Sequence, residues 1–196
     1  MVHFSRMNRI LEMDIPNRTV TVEPGVITLD LQNRLLKEGF LYVPDPASQK
    51  VSTLGGNLGE NSGGPHCLKY GVTTNHVIGA ELVLHDGSVV WTGGKSQDNP
   101  GYDLTGLLVG SEGTLGLVTK MILKIIRAPE KIKTMLAIFD AIEDASNTVS
   151  AIIAEGILPA TLEMMDNVVM QAVEASVQAG YPLDAAAVLI IEPVSY

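Results

Sequence analysis

The stretch PDPASQKVSTLGGNLGENSGG, Pro44 to Gly64, decides the reading of this chain. It carries two glycine pairs, Gly55-Gly56 and Gly63-Gly64, with Asn57, Glu60, Asn61 and Ser62 between them. Its punctuation predicts an irregular segment from Pro44 to about Tyr70, and structureless loops of that length are uncommon in a compact domain unless they are functional. Glycine permits positive φ and lets a ligand approach backbone N–H groups with no Cβ in the way. Turns rich in such donors form concave anion sites, so a diphosphate is a chemically sensible occupant. Ordinary turn glycines in a surface loop account for the same letters equally well. No GxxxxGK[ST] occurs and no GxGxxG opens a helix directly after a strand, which excludes a Walker loop and a Rossmann fingerprint.

Outward from that stretch, the glycines divide the chain: of 19, 16 fall between Gly39 and Gly116. The second dense motif is GYDLTGLLVGSEGTLGLVTK, Gly101 to Lys120. Asp103 is placed to cap a short helix running to about Val109, and Gly110 to end it. The segment Ser111 to Gly116 then turns into a strand from Leu117 to Ile126. Taken alone, Glu112 reads as a residue that orders its own turn.

On the N-terminal side, Ile10 to Ile15 and Thr19 to Glu23 alternate around Pro16-Asn17-Arg18, which predicts two strands and a tight turn. Thr28 is placed to cap a helix to about Glu38, stopped by Gly39. Val77 to Leu84 and Ser88 to Thr92 predict a hairpin, with Asp86-Gly87 supplying a type I′ turn. Pro129 marks a domain boundary. Beyond it the pattern is strand Ile132 to Phe139, helix Ala141 to Glu155, strand Ala160 to Met165, helix Val168 to Gln178 and strand Ala187 to Glu192. Asp140 and Glu143 suggest a capping box on the first of these helices. A β-α-β-α-β succession is an α+β, ferredoxin-like beginning.

Composition narrows the function. With 13 Lys plus Arg against 22 Asp plus Glu the formal charge is −9, which argues against a nucleic-acid binder. The single Cys67 allows no internal disulfide and fits a reducing compartment. No apolar run reaches the length of a membrane span. Charged residues are 18% of the chain, below the usual figure of about 25%, and mean hydropathy is +0.24. Apolar surface left exposed by such a chain favours self-association, which predicts a dimer or larger oligomer.

The motifs PDPAS, STLGGN, ENSGG, LKYG, GGK, GYDLTGLLVGSEGTLG and LEMMDN, in this order, resemble the FAD-linked oxidases of the vanillyl-alcohol oxidase and para-cresol methylhydroxylase (PCMH) type. GGPHCLKYG and AGYPLDA point within that family to the branch of the glycolate oxidase FAD-linked subunit. The resemblance implies an α+β chain in which residues 1–129 are the C-terminal part of a PCMH-type FAD-binding domain, its first subdomain and RGxGT-type loop missing. Residues 130–196 are then an incomplete, ferredoxin-like cap domain. It further implies FAD contacts at Pro44, Asp45, Thr53, Gly55, Gly56, Asn57, Ser62, Gly63, Gly64, Tyr70, Gly71, Glu112, Gly113 and Val118. The glycines would allow close approach and offer N–H donors to the pyrophosphate or flavin edge, and Val118 would make main-chain bonds to the isoalloxazine ring. Ser62 stands where the family usually has Ala, which keeps the site small.

The reaction implied by the resemblance is oxidation of a 2-hydroxy acid, with hydride passing from C2 to flavin N5. It also implies an iron–sulfur partner subunit and a cytoplasmic location, peripheral at the inner membrane face. The catalytic groups of relatives lie mainly beyond residue 196, so the isolated chain is expected to be a fragment that retains FAD weakly or not at all and does not turn over. Two alternatives stay open: a non-catalytic assembly module of the same fold, and a D-lactate or D-2-hydroxyglutarate dehydrogenase relative. Among the histidines, His66 reads as a loop cap, His76 as closing a turn, His85 as part of the hairpin turn and His3 as tail. None has a second ligand at metal spacing, so no metal is assigned. Cys67 reads as a half-buried inert thiol rather than a covalent flavin link.

Overall fold

The computed structural model describes residues 2–96 and 101–195. The chain divides into two compact units, Met1–Ala128 and Pro129–Tyr196.

Unit 1 is built on five antiparallel strands: β1 (Ile10–Asp14), β2 (Thr19–Val22), β4 (Val77–Val83), β5 (Val89–Gly93) and β6 (Leu117–Lys124), in the order β1-β2-β6-β4-β5. Alternation along these strands fixes the faces. Val22, Met121 and Ala80 are aligned across three strands, as are Val20, Leu123 and Val77, and all six are buried. They pack in one core with Leu31 and Leu35 of α1 (Thr28–Leu36), Leu54 and Leu58 of α2 (Leu54–Glu60), Leu108 of α4 (Leu104–Leu108) and Tyr42. Burying each such leucine stabilises the fold by about 1.5–3 kcal/mol. Tyr42 sits beyond the two-residue strand β3 (Phe40–Leu41), which pairs with β7 (Ile126–Arg127). It is held by a backbone clamp: Gln32 Nε2 donates to its carbonyl, and its N–H donates to Gln32 Oε1 at 3.2 Å. Helix α3 (Cys67–Tyr70) is a single turn.

The predicted strands, the hairpin and the helix capped by Asp103 are all present, Asp103 Oδ1 accepting from Gly106 N at 2.8 Å. Three local expectations are corrected. Thr28 does not cap α1; Ile27 holds that position, and the Thr28 hydroxyl faces Ser52 and accepts from Asn57 Nδ2 at 2.7 Å. The Asp86-Gly87 turn is not type I′, since only Gly87 has positive φ (84°). Gly87 N donates to Leu84 O and Leu84 N to Ser88 O, so the loop has three residues and ends in left-handed glycine. Finally, the segment from Pro44 to Tyr70 is not irregular throughout, because α2 and α3 lie within it.

Unit 2 has the sheet order β10-β11-β9, with β9 (Met135–Phe139), β10 (Thr161–Asp166) and β11 (Ala187–Glu192) all antiparallel neighbours. Helix α5 (Ile142–Ala154) joins β9 to β10 and α6 (Asn167–Val177) joins β10 to β11, so the β-α-β-α-β succession is realised. Short strands β8 (Lys131–Ile132) and β12 (Val194–Ser195) pair with each other. Asp166 caps α6 by accepting from Val169 N at 2.8 Å. The capping box at Asp140 and Glu143 is not formed; Ala141 is the cap position of α5 and supplies no side-chain bond. Ile138 and Val168 are among the large apolar side chains left exposed on this unit.

Candidate functional site

The two glycine-rich motifs meet at one cleft in unit 1. Helix α2, LGGNLGE, turns Leu54, Asn57 and Leu58 inward and leaves Gly55, Gly56 and Gly59 outward. That pattern is amphipathic in an unusual sense: apart from the exposed Glu60 at its end, the outward face has no side chains, so a ligand can lie against bare backbone. Opposite it run Glu112 and Gly113, consecutive residues in left-handed backbone (φ 51° and 75°). The motifs are joined directly, because Gly110 N donates to Leu58 O at 2.8 Å and Glu112 N to Gly59 O at 3.1 Å. Together with Thr53 and the N-terminal segment around Phe4 they line a cleft of about 690 Å³. A smaller pocket of about 100 Å³ shares Gly55, Gly59 and Gly113 with it and extends to Leu117 and Val118.

Val118 lies on a strand that is only half covered. β2 pairs with β6 from Met121 to Lys124, whereas β4 pairs along Leu117 to Leu123. The register between β4 and β6 shifts at Val118, with Thr119 the additional residue. Bulges of this kind recur beside binding sites because they re-aim a strand.

The hydrogen bonds correct one expected role. The N–H groups that open α2 are engaged: Leu54 N by Val26 O, Gly55 N by Pro24 O, both at 2.8 Å, and Gly56 N by Thr53 Oγ1 at 3.2 Å. Gly55 and Gly56 therefore provide close approach and no free donors. A Cβ at Gly55 would lie 2.5 Å from Pro24 Cβ, so that glycine is also required by packing. One free donor in the cleft is Gly113 N–H, which donates to nothing among the described residues and whose absent Cβ would meet nothing within 4 Å. Exposed carboxylates at Glu60 and Glu112 suit the hydroxyl groups of a long polar ligand, the Gly113 N–H suits an oxyanion, and the glycines of the helix wall admit close approach. The residues present fit an FAD segment on these grounds.

Of the expected contacts, Thr53, Gly55, Gly56, Glu112, Gly113 and Val118 line this cleft and its extension. Asn57 does not; it is buried and anchors α2 to Thr28. Pro44, Asp45, Ser62, Gly63, Gly64, Tyr70 and Gly71 also lie off the cleft lining. Asp45, Gly63 and Gly64 gather at α3. Asp45 Oδ2 is 2.6 Å from His66 Nδ1, Gly64 N donates to Cys67 Sγ at 2.9 Å, and a Cβ at Gly64 would lie 2.4 Å from Asp45 O. Ser62 O accepts from Thr73 Oγ1 at 2.7 Å. Gly71 has φ 83°, and its N–H donates to Cys67 O. Burial holds the His76 imidazole below its usual range; the neutral ring donates Nε2–H to Tyr70 O at 3.0 Å. Sequence reasoning missed Gly59, although it follows Gly55 by one helical turn. It also missed Phe4 and Pro24, which carry no local signal.

Among the described residues no group of three or more His, Cys, Asp or Glu could hold a metal ion, and no helix is long and apolar enough to cross a membrane.

Residues 1–93 match the FAD binding domain family and residues 128–195 the FAD linked oxidases, C-terminal domain. The chain is 53% identical over 190 residues to glycolate oxidase subunit GlcD of Bacillus subtilis (strain 168), covering 96% of this chain and 40% of that protein. It is 42% identical to glycolate oxidase subunit GlcD of Escherichia coli (strain K12), covering 96% of this chain and 38% of that one. A D-lactate dehydrogenase of Anaerostipes hadrus is 37% identical, with 89% of this chain and 37% of the other covered. The chain thus spans 40% or less of the length of these relatives. Among solved structures, an alkyldihydroxyacetonephosphate synthase superposes with a TM-score of 0.85 over 97% of this chain and 37% of its own, at 23% identity.

Proposed function

Because the chain belongs to the FAD-linked oxidases, we propose that it is part of a flavin-dependent oxidoreductase of small 2-hydroxy acids. In this reading residues 1–129 hold part of the FAD and residues 130–196 belong to the cap domain. The observation that carries it is the convergence of Thr53, Gly55 and Gly56 with Glu112 and Gly113 on one cleft. FAD, when bound, supplies the hydride acceptor for converting a hydroxyl to a carbonyl. The protein's part is binding and orientation. The glycine face of α2 lets a ligand backbone lie close, Gly113 N–H donates to an oxyanion, and the Glu112 carboxylate accepts from hydroxyl groups. Val118, at the half-covered end of β6, presents main chain to a ring edge.

The higher identity to the glycolate oxidase subunits than to the D-lactate dehydrogenase favours a glycolate-like substrate. The word subunit in the relatives' names supports assembly with other chains, and an iron–sulfur partner on the cytoplasmic side of a membrane is the form we propose.

Titration of the chain with FAD, followed by flavin fluorescence, tests the cofactor reading. Saturable binding is expected, with loss in Gly56→Val, where a Cβ meets only Thr53 Oγ1 at 3.2 Å and the larger side chain fills the cleft. Absence of saturation, or unchanged affinity in a folded Gly56→Val protein, overturns it.

A further inference from the structure

The end of β6 away from the glycine cleft borders a second cavity, of about 570 Å³, that shares no lining residue with that cleft. Thr19 of β2 and Lys124 of β6 are direct cross-strand partners, so their side chains leave the same face of the sheet. Asp14 of β1 is the partner of Thr19 on its other side. After β5 the chain doubles back over this face. Gly94 N donates to Ile78 O at 2.8 Å, and Lys95 Nζ reaches Glu12 Oε1 and Asp14 Oδ2, each at 2.9 Å, on the opposite edge strand. This strap needs Gly79 beneath it, where a Cβ would lie 2.8 Å from Gly94 N. The cavity is therefore walled by sheet and partly roofed by the strap.

Its described lining carries three cations, Arg18, Lys95 and Lys124, against one carboxylate, Asp103. Arg18 and Lys124 both line it, and neither side chain makes an ion pair or hydrogen bond among the described residues. The Lys95 charge is balanced by Glu12 and Asp14. The one carboxylate among the described lining residues, Asp103, has Oδ1 committed to Gly106 N. An independent sign is Thr19 itself: the residue is 4% exposed, and its Oγ1 is buried with no hydrogen-bond partner among the described residues. A buried hydroxyl without a partner is costly, and an oxyanion that displaces the side chains covering it and accepts its hydrogen bond removes that cost.

We propose that this cavity binds a small oxyanion, the phosphate or carboxylate group of a small molecule, held by Arg18, Lys124 and the Thr19 hydroxyl. Charge-assisted hydrogen bonds from two cations and a donor facing an acceptor suit that chemistry. It is independent of the FAD reading, because the two sites share no residue.

The test titrates the chain separately with inorganic phosphate and with acetate, following backbone amide resonances of Arg18, Thr19 and Lys124. Saturable shifts that weaken with added sodium chloride are expected. Lys124→Gln and Thr19→Val should each bind about tenfold more weakly. Lys120→Gln, whose cation is paired with Glu81 at 2.8 Å, should bind as the wild type does. Thr19→Val should also raise the thermal midpoint without anion, since it removes the unpartnered hydroxyl and keeps the shape, so lost affinity in that variant is not unfolding. Saturation by phosphate alone assigns the phosphate class, and saturation by acetate alone the carboxylate class. No saturation by either, or wild-type affinity in Lys124→Gln or Thr19→Val, overturns the proposal. The FAD titration reads the other cleft, so either result can fail while the other stands.

Discussion

The N–H of Glu112 donates to the carbonyl oxygen of Gly59 at 3.1 Å, which fastens the left-handed turn of one glycine-rich motif to the last turn of the helix formed by the other. Glu112 is a side-chain-bearing residue at φ 51°, and Gly113 follows at φ 75°. Left-handed backbone costs a residue with a Cβ about 1–2 kcal/mol. Gly113→Ala should therefore lower the unfolding free energy by about 1 kcal/mol, and Glu112→Gly should raise it by up to about 1 kcal/mol. Urea denaturation midpoints read both; two neutral variants would show that the turn is not strained.

Thr53 caps α2 through its hydroxyl oxygen. Thr53→Ala should cost about 1 kcal/mol of stability, and Thr53→Ser should recover most of it. If flavin binding tracks the cap, Thr53→Ala weakens FAD retention as well, while Thr53→Ser does not.

Glu23 is buried beside Arg9, with Arg9 Nη2 at 2.7 Å from Oε1 and Arg9 N at 2.8 Å from Oε2. The Arg9 side-chain hydrogen bonds hold its carboxyl below the usual value of 4.5. A carboxyl depressed in the folded state adds stability that is present above its unfolded value and lost as pH falls through the folded one. Arg9→Met should therefore lower the thermal midpoint at neutral pH and lie closer to wild type at strongly acid pH. A gap between the two proteins that stays constant with pH would refute this.

Asp14 accepts from Asn17 Nδ2 at 3.0 and 2.9 Å and from Lys95 Nζ at 2.9 Å. The Asn17 hydrogen bonds, then that of Lys95, bring its carboxyl from 3.8 down to about 2. The associated stability is present above 3.8 and disappears as pH falls toward 2. Carboxyl-carbon NMR should show Asn17→Ala raising the midpoint more than Lys95→Met; the reverse order would make the strap lysine the main cause.

The local rules that the chain obeys are those in which a residue acts on its immediate neighbours. Asp103 caps the next three residues, Gly39 (φ 77°) and Gly110 (φ 84°) end helices, and alternation from Thr19 to Val22 and along Val77 to Val83 forms a ladder. Where a distant group competes, the rules fail. The Thr28 hydroxyl is drawn to Ser52 and Asn57 instead of the helix start. The glycines of α2 argue against a helix at about 1 kcal/mol each, yet inward packing of Leu54 and Leu58 and the Thr53 cap outweigh them.

The motifs and their order determined, without coordinates, the family, the cofactor class and the ladder of strands that carries the site. Only the tertiary structure decided what each glycine does. Gly55 and Gly56 face the cleft with their N–H groups taken by Pro24 and Thr53, Gly63 and Gly64 pack against Cys67 and Asp45, and Gly113 keeps a free donor. The physical reason is that hydrogen-bond saturation depends on partners brought in from remote segments. The letters GG specify only where a Cβ is absent, and the fold specifies what occupies the space.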